Sequence, residues 1–158
     1  DQDLDLFVGS GGNDASRSKQ WLQDRIYLND GTGQFSRGLN ALPSYFSNTS
    51  TLAFYDMDQD GDQDIFVGNR SALGTYGINP TSVLLENTGD GTFKDVTGLK
   101  GYDASKLGMV TDAKWINLVG DERKDLLVVG EWMSPVILEN KGLYMEKVET
   151  NLTQISGW

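Results

Sequence analysis

Residues 56–64 read Asp-Met-Asp-Gln-Asp-Gly-Asp-Gln-Asp, the segment of the chain best suited to chemistry. Asp56, Asp58, Asp60 and Asp64 stand at positions 1, 3, 5 and 9 of this stretch, with Gly61 at position 6. Carboxylates packed this closely repel one another unless a cation sits among them. An all-oxygen donor set with no His or Cys nearby suits Ca²⁺, which accepts six to eight oxygens in a flexible shell. Gly61 permits the sharp turn that folds the loop around an ion. The main-chain carbonyl of Asp62, at position 7, is the natural fifth ligand. The expected metal ligands are therefore Asp56, Asp58, Asp60, Asp62 and Asp64, and the expected cofactor is Ca²⁺. The alternative is an acidic turn that holds no metal.

The same spacing opens an EF-hand, but that motif needs a Glu at position 12 and a helix on each side. Position 12 is Val67. The flanks, Leu52-Ala53-Phe54-Tyr55 and Ile65-Phe66-Val67, are aromatic and β-branched and read as strands. The acidic loop is thus expected at the tip of a β-hairpin.

Other chemistry is narrowly bounded. The chain has neither Cys nor His. That removes disulfides, thiolate sites, the Ser-His-Asp triad and zinc-protease motifs. The carboxylate pair considered for acid–base work is Glu131 with Asp112, and nothing in their spacing places them together. The expectation is a protein that is not an enzyme. A net charge of −10 argues against nucleic acid and anionic lipid as partners. No run of about eighteen apolar residues is present to span a membrane.

The elements that position the acidic loop repeat. Asp64-Ile65-Phe66-Val67-Gly68 is matched by Asp5-Leu6-Phe7-Val8-Gly9 and by Asp125-Leu126-Leu127-Val128-Val129-Gly130, at offsets of 59 and 61 residues. The third copy carries one residue more before its Gly, so a bulge or shifted turn is expected there. Each copy is followed by a strand, a Gly-rich turn and a further strand. These hairpins begin at Ile26, Val83 and Val136. One unit then holds four strands, and four-stranded sheets repeated radially make a β-propeller. A stacked solenoid is the second architecture.

The expected fold is all-β, a partial propeller of about three blades. Residues 1–48 form an incomplete first blade, 49–105 a second with the intact loop, 106–152 a third with a degenerate loop, and 153–158 the start of a fourth. In the third loop Asn117, Val119 and Asp121 take positions 1, 3 and 5, and Glu122 replaces the Gly. Val cannot ligate, so this loop is expected to be metal-free or weak, with Arg123 and Lys124 supplying charge instead. In the first copy Asp1, Asp3 and Asp5 fall at positions 5, 7 and 9. The chain is therefore read as a fragment of a longer propeller, or as one whose copies associate into a ring.

The DxDxDGxxD pattern at residues 56–64 and the sixty-residue spacing resemble the FG-GAP/VCBS repeat, the calcium-loop blade also found in the integrin α-subunit propeller. Leu107-Gly108-Met109-Val110-Thr111-Asp112-Ala113, Val129-Gly130-Glu131-Trp132-Met133 and Ser156-Gly157-Trp158 are most similar to bacterial VCBS proteins that carry an ASPIC/UnbV-type domain. The resemblance implies a secreted or surface propeller, commonly without catalysis. A calcium loop of the weak extracellular class fills only where calcium approaches millimolar, which points to a secreted, periplasmic or outer-surface setting.

The functional expectation is a calcium-stabilised interaction or adhesion scaffold with an unknown protein or glycan ligand. The alternatives are a lectin-like glycan-binding propeller and an ancillary part of a polysaccharide-active enzyme. Among the aromatics, Trp115 is expected in the core, whereas Trp21 and Trp132 are candidates for ligand contact. The long loops 10–23 and 69–81 are rich in Gly, Ser and Asn, and loops on a rigid scaffold often carry binding.

Overall fold

The structure, a computed structural model, describes residues 3–12, 19–46, 48–99, 103 and 106–154. Asp1, residues 13–18 of the first long loop, and Ser156-Gly157-Trp158 lie outside the described residues.

The all-β expectation holds. Among the described residues eleven strands form three antiparallel sheets, and the helical turns are short 3₁₀ pieces. The first sheet contains β1 (Leu6–Val8), β2 (Arg25–Asn29) and β3 (Phe35–Arg37). The second is a meander of β4 (Asn48–Tyr55), β5 (Asp64–Ser71), β6 (Val83–Asn87) and β7 (Phe93–Asp95). The third repeats it with β8 (Met109–Ile116), β9 (Asp125–Glu131), β10 (Val136–Asn140) and β11 (Met145–Lys147).

The sheets pack in series, and β5 shows why its sequence lacks polar alternation. Ile65 and Val67 point to one side, into a cluster with Val83, Leu85, Phe7 and Tyr45. Phe66 points to the other, into the larger core with Ala53, Leu84, Val110, Leu126 and Val128. A strand covered on both faces reads as a continuous apolar run. Trp115 is buried in the larger core, and its indole N–H donates to the Ala53 carbonyl at 3.2 Å.

The repeated Gly marks close approach between sheets. A Cβ on Gly68 would lie 2.6 Å from Thr51 Cγ2 and 2.7 Å from Val110 Cγ1, the latter on the third sheet. A Cβ on Gly9 would lie 2.7 Å from Thr49 Cγ2 on the second.

The apparent extra residue of the third copy has a different explanation. In the second sheet Gly68 faces Thr51 and Asn69 faces Thr49, which skips Ser50. In the third, Val129 faces Asp112 and Gly130 faces Val110, which skips Thr111. Ser50 and Thr111 occupy the same bulge in successive sheets. Val129 is thus the counterpart of Gly68, and Gly130 the counterpart of Asn69. The bulge belongs to both sheets and sits in β4 and β8, not in β9.

Candidate metal centre

The β4–β5 turn carries the acidic nonapeptide, and its geometry is set largely by the carboxylates themselves. Asp56 accepts from the backbone N–H of Asp60 at 3.1 Å and of Gly61 at 3.0 Å, closing the loop on itself. Asp60 in turn accepts from the N–H of Asp62 at 2.9 Å. Gly61 has φ 102°, as the turn requires, and Gln59 also enters the left-handed region at φ 66°. No turn residue in the sequence marks Gln59 for that conformation.

Asp64 opens β5 and is 1% exposed. Its two oxygens accept from the backbone N–H groups of Met57 at 2.8 Å and Asn87 at 2.9 Å. Burial pushes its carboxyl up to about 6, with the charges of Asp58 and Asp60 adding to the rise and the two N–H donors opposing it. A buried carboxylate facing like charges is the electrostatic setting that a bound cation relieves.

One carboxylate oxygen each from Asp56, Asp58 and Asp64 lies within 4.8 Å of the other two. The oxygen-only donors and their convergence fit a hard divalent cation. Of the five ligands expected from the sequence, the structure brings these three side chains together. The Asp60 carboxylate stands outside the trio and braces the turn. The Asp62 side chain lies against Gly89, where a Cβ would come within 3.0 Å of Oδ2.

The sequence gives no direct sign of the shared anchor behind the loop. Asp5, Asp64 and Asp125 each accept from the backbone N–H of an Asn that ends β2, β6 or β10, the strand that pairs next in its sheet. The donors are Asn29 at 2.9 Å, Asn87 at 2.9 Å and Asn140 at 3.2 Å. Each Asn then accepts through its own side chain from a turn Gly two residues on, Gly31, Gly89 or Gly142. The Asp is common to all three units, whether or not the rest of the loop is acidic.

The third loop is held without a carboxylate cluster. Asp125 accepts from the N–H groups of Leu118 at 2.9 Å and Val119 at 3.0 Å. Asn117 accepts from Gly120 and donates to the Asp121 carbonyl. Lys124 Nζ sits 5.2 Å from the centre of the Tyr55 ring on the second sheet, and Arg123 covers Gly142.

The remaining candidates separate. Glu131 bonds Arg70 and Tyr76, whereas Asp112 accepts from Thr51, so they do not form an acid–base pair. Trp21 and Trp132 are exposed. Arg70 and Tyr76 escape sequence inspection, although Arg70 and Glu131 stand one repeat offset apart.

Residues 1–67 match the family described as FG-GAP-like repeat, a span from the chain start through the acidic loop into β5. No curated protein and no solved structure gives a significant match.

Proposed function

We propose that this chain is a calcium-stabilised segment of a β-propeller that serves as a non-catalytic interaction module outside the cytosol. The observation that carries the reading is the convergence of Asp56, Asp58 and Asp64 around a buried, charge-crowded Asp64. The FG-GAP-like match over this loop supports both the repeat type and the interaction role. Serial face-to-face packing of meander sheets supports blades of one propeller.

In this reading Asp56, Asp58 and Asp64 hold the ion through their side chains. Asp60 and the Asp62 carbonyl complete the shell once the loop closes. Bound Ca²⁺ neutralises the loop and fixes the β4–β5 hairpin, which positions the sheets on either side. A ligand-presenting scaffold needs that rigidity more than it needs a reactive group. Isothermal titration of the metal-free chain with Ca²⁺ tests this. One saturable site that Asp58→Ala abolishes supports the reading, and no heat of binding in the folded chain sinks it.

A further inference from the structure

At the end of β5 away from the acidic loop, an open cleft of about 440 Å³ lies between the sheets. Arg70 on its wall is six residues beyond Asp64 along the strand, roughly 20 Å away. The cleft is lined by the two bulge residues, Ser50 and Thr111, with Asn48, Ser71 and Arg70. Beyond Arg70 stand Tyr76 and Trp132, edge to face with ring centres 5.5 Å apart.

We infer that this cleft, with the Trp132–Tyr76 pair at its rim, binds a neutral carbohydrate through its own side chains, with no calcium ion in the cleft. The inference deepens the interaction-module reading and rests on it for the scaffold alone.

The first argument is the hydrogen-bonding character of the wall. Ser50 donates to the main-chain carbonyl of Val110 at 2.7 Å, and Asn48 donates to the Ser71 hydroxyl and carbonyl. The Ser50 proton and the Asn48 amide hydrogens are thus engaged and the Ser50 oxygen keeps an acceptor lone pair, while the Ser71 hydroxyl, which accepts from Asn48, and the Arg70 guanidinium can donate. A ligand that matches this wall brings both donors and acceptors, as a polyol does.

The second argument is charge. In a chain of net charge −10, no carboxylate among the described residues lines the cleft. Of the carboxylates bonded to wall residues, Asp24 accepts from the Thr49 hydroxyl at 2.7 Å, and Glu131 is held by Arg70 at 2.5 Å and by the Tyr76 hydroxyl at 2.5 Å. Arg70 keeps its charge and is paired in the same contact. The site therefore suits neither a free cation nor an anion.

The third argument is the aromatic rim. Trp132 has φ 54°, a left-handed backbone that bulky residues seldom adopt. It is nonetheless 63% exposed, and Tyr76 is 54% exposed, so burial does little to offset the strain. Contact with Gly77, where a Cβ would meet the ring at 3.2 Å, explains one edge of Trp132 and leaves the rest open. A strained, fixed, exposed aromatic beside a polar cleft is a stacking platform for the apolar face of a sugar ring.

The test is calorimetric titration of the chain with cellohexaose, maltohexaose, xylohexaose and mannohexaose, each in calcium and in chelator. The expected result is binding of at least one in calcium, with any loss in chelator no larger than the fraction of chain that has unfolded there. Trp132→Gly relieves the left-handed backbone, so it should fold at least as stably as the parent yet bind about tenfold more weakly or worse. Thr111→Val, on the cleft wall, should also weaken binding. No binding of any sugar by the folded chain overturns the inference. So does affinity that both variants leave intact, or uptake of an unstructured peptide library in place of sugars. Calcium-dependent folding is read on the same samples without sugar, so failure of the metal reading is seen separately.

Discussion

The side-chain amide of Asn140 donates to the main-chain carbonyl of Met57, 2.9 Å away, and so ties the third sheet to the acidic loop of the second. Met57 passes the constraint on, because its N–H donates to Asp64. Asn140 and Met57 are both buried. Asn140→Ala therefore orphans the Met57 carbonyl and the Gly142 N–H together, at a cost of about 2 kcal/mol. The equivalent Asn87 amide reaches Gln63 at 3.4 Å in an exposed setting, so Asn87→Ala should cost less. Urea unfolding of the two variants gives the order, and equal losses would contradict the bracing role of Asn140.

The acidic loop predicts opposite pH responses with and without metal. Burial, reinforced by Asp58 and Asp60, raises the Asp64 carboxyl from an ordinary 3.8 to about 6. A raised folded-state value favours folding of the protonated form. This contribution is fully present below pH 3.8 and is lost as pH rises through about 6. In chelator, Asp64 should thus make the chain more stable as pH falls across that window. In calcium the ion requires the ionised carboxylate, so the calcium-induced stabilisation should shrink over the same interval. Asp58→Asn removes one of the charges that raise Asp64 and should move the chelator profile to lower pH. Thermal melts across the window in both buffers check the signs.

Gly68 predicts a coupling between sheets. A methyl group there meets Thr51 and Val110, so Gly68→Ala should destabilise by about 1–3 kcal/mol. Val110→Ala opens space on the third sheet and itself costs stability. Because the two sites touch, the double variant should be more stable than the sum of the single losses. A double-mutant cycle by chemical denaturation measures the difference, and strict additivity would mean that the sheets do not meet at this Gly.

The sequence carries the all-β class and the position of the acidic loop because both rest on local patterns. Strand–turn punctuation marks the hairpins, and the Asp spacing marks the loop around Asp64. What sequence inspection misses depends on pairing between distant strands. Gly130 appears displaced by an insertion until the bulge at Thr111 is seen to match that at Ser50. Asp24 looks like an ordinary loop carboxylate. In the structure it is buried, accepting from the Ser10 N–H at 2.6 Å, the Thr49 hydroxyl at 2.7 Å and the Tyr45 hydroxyl at 3.0 Å. The Arg70–Glu131 pair spans 61 residues, the same offset that separates Asp64 from Asp125. Equivalent positions in adjacent sheets lie close together, so the repeat itself held a usable signal for that contact. The carboxylate cluster is only partly legible, because spacing fixes which carboxylates are available and not which of them converge. Asp56, Asp58 and Asp64 meet, whereas Asp60 serves the turn.

The most direct test of the account is thermal unfolding of the chain in calcium and in chelator, with Asp58→Ala alongside. At free calcium tenfold above Kd the folded state should gain about 1.4 kcal/mol. The account predicts one cooperative transition that rises with calcium concentration in the parent chain and does not move in Asp58→Ala. A parent transition that calcium leaves unchanged, or a variant that responds as the parent does, would contradict a structural calcium ion at Asp56, Asp58 and Asp64.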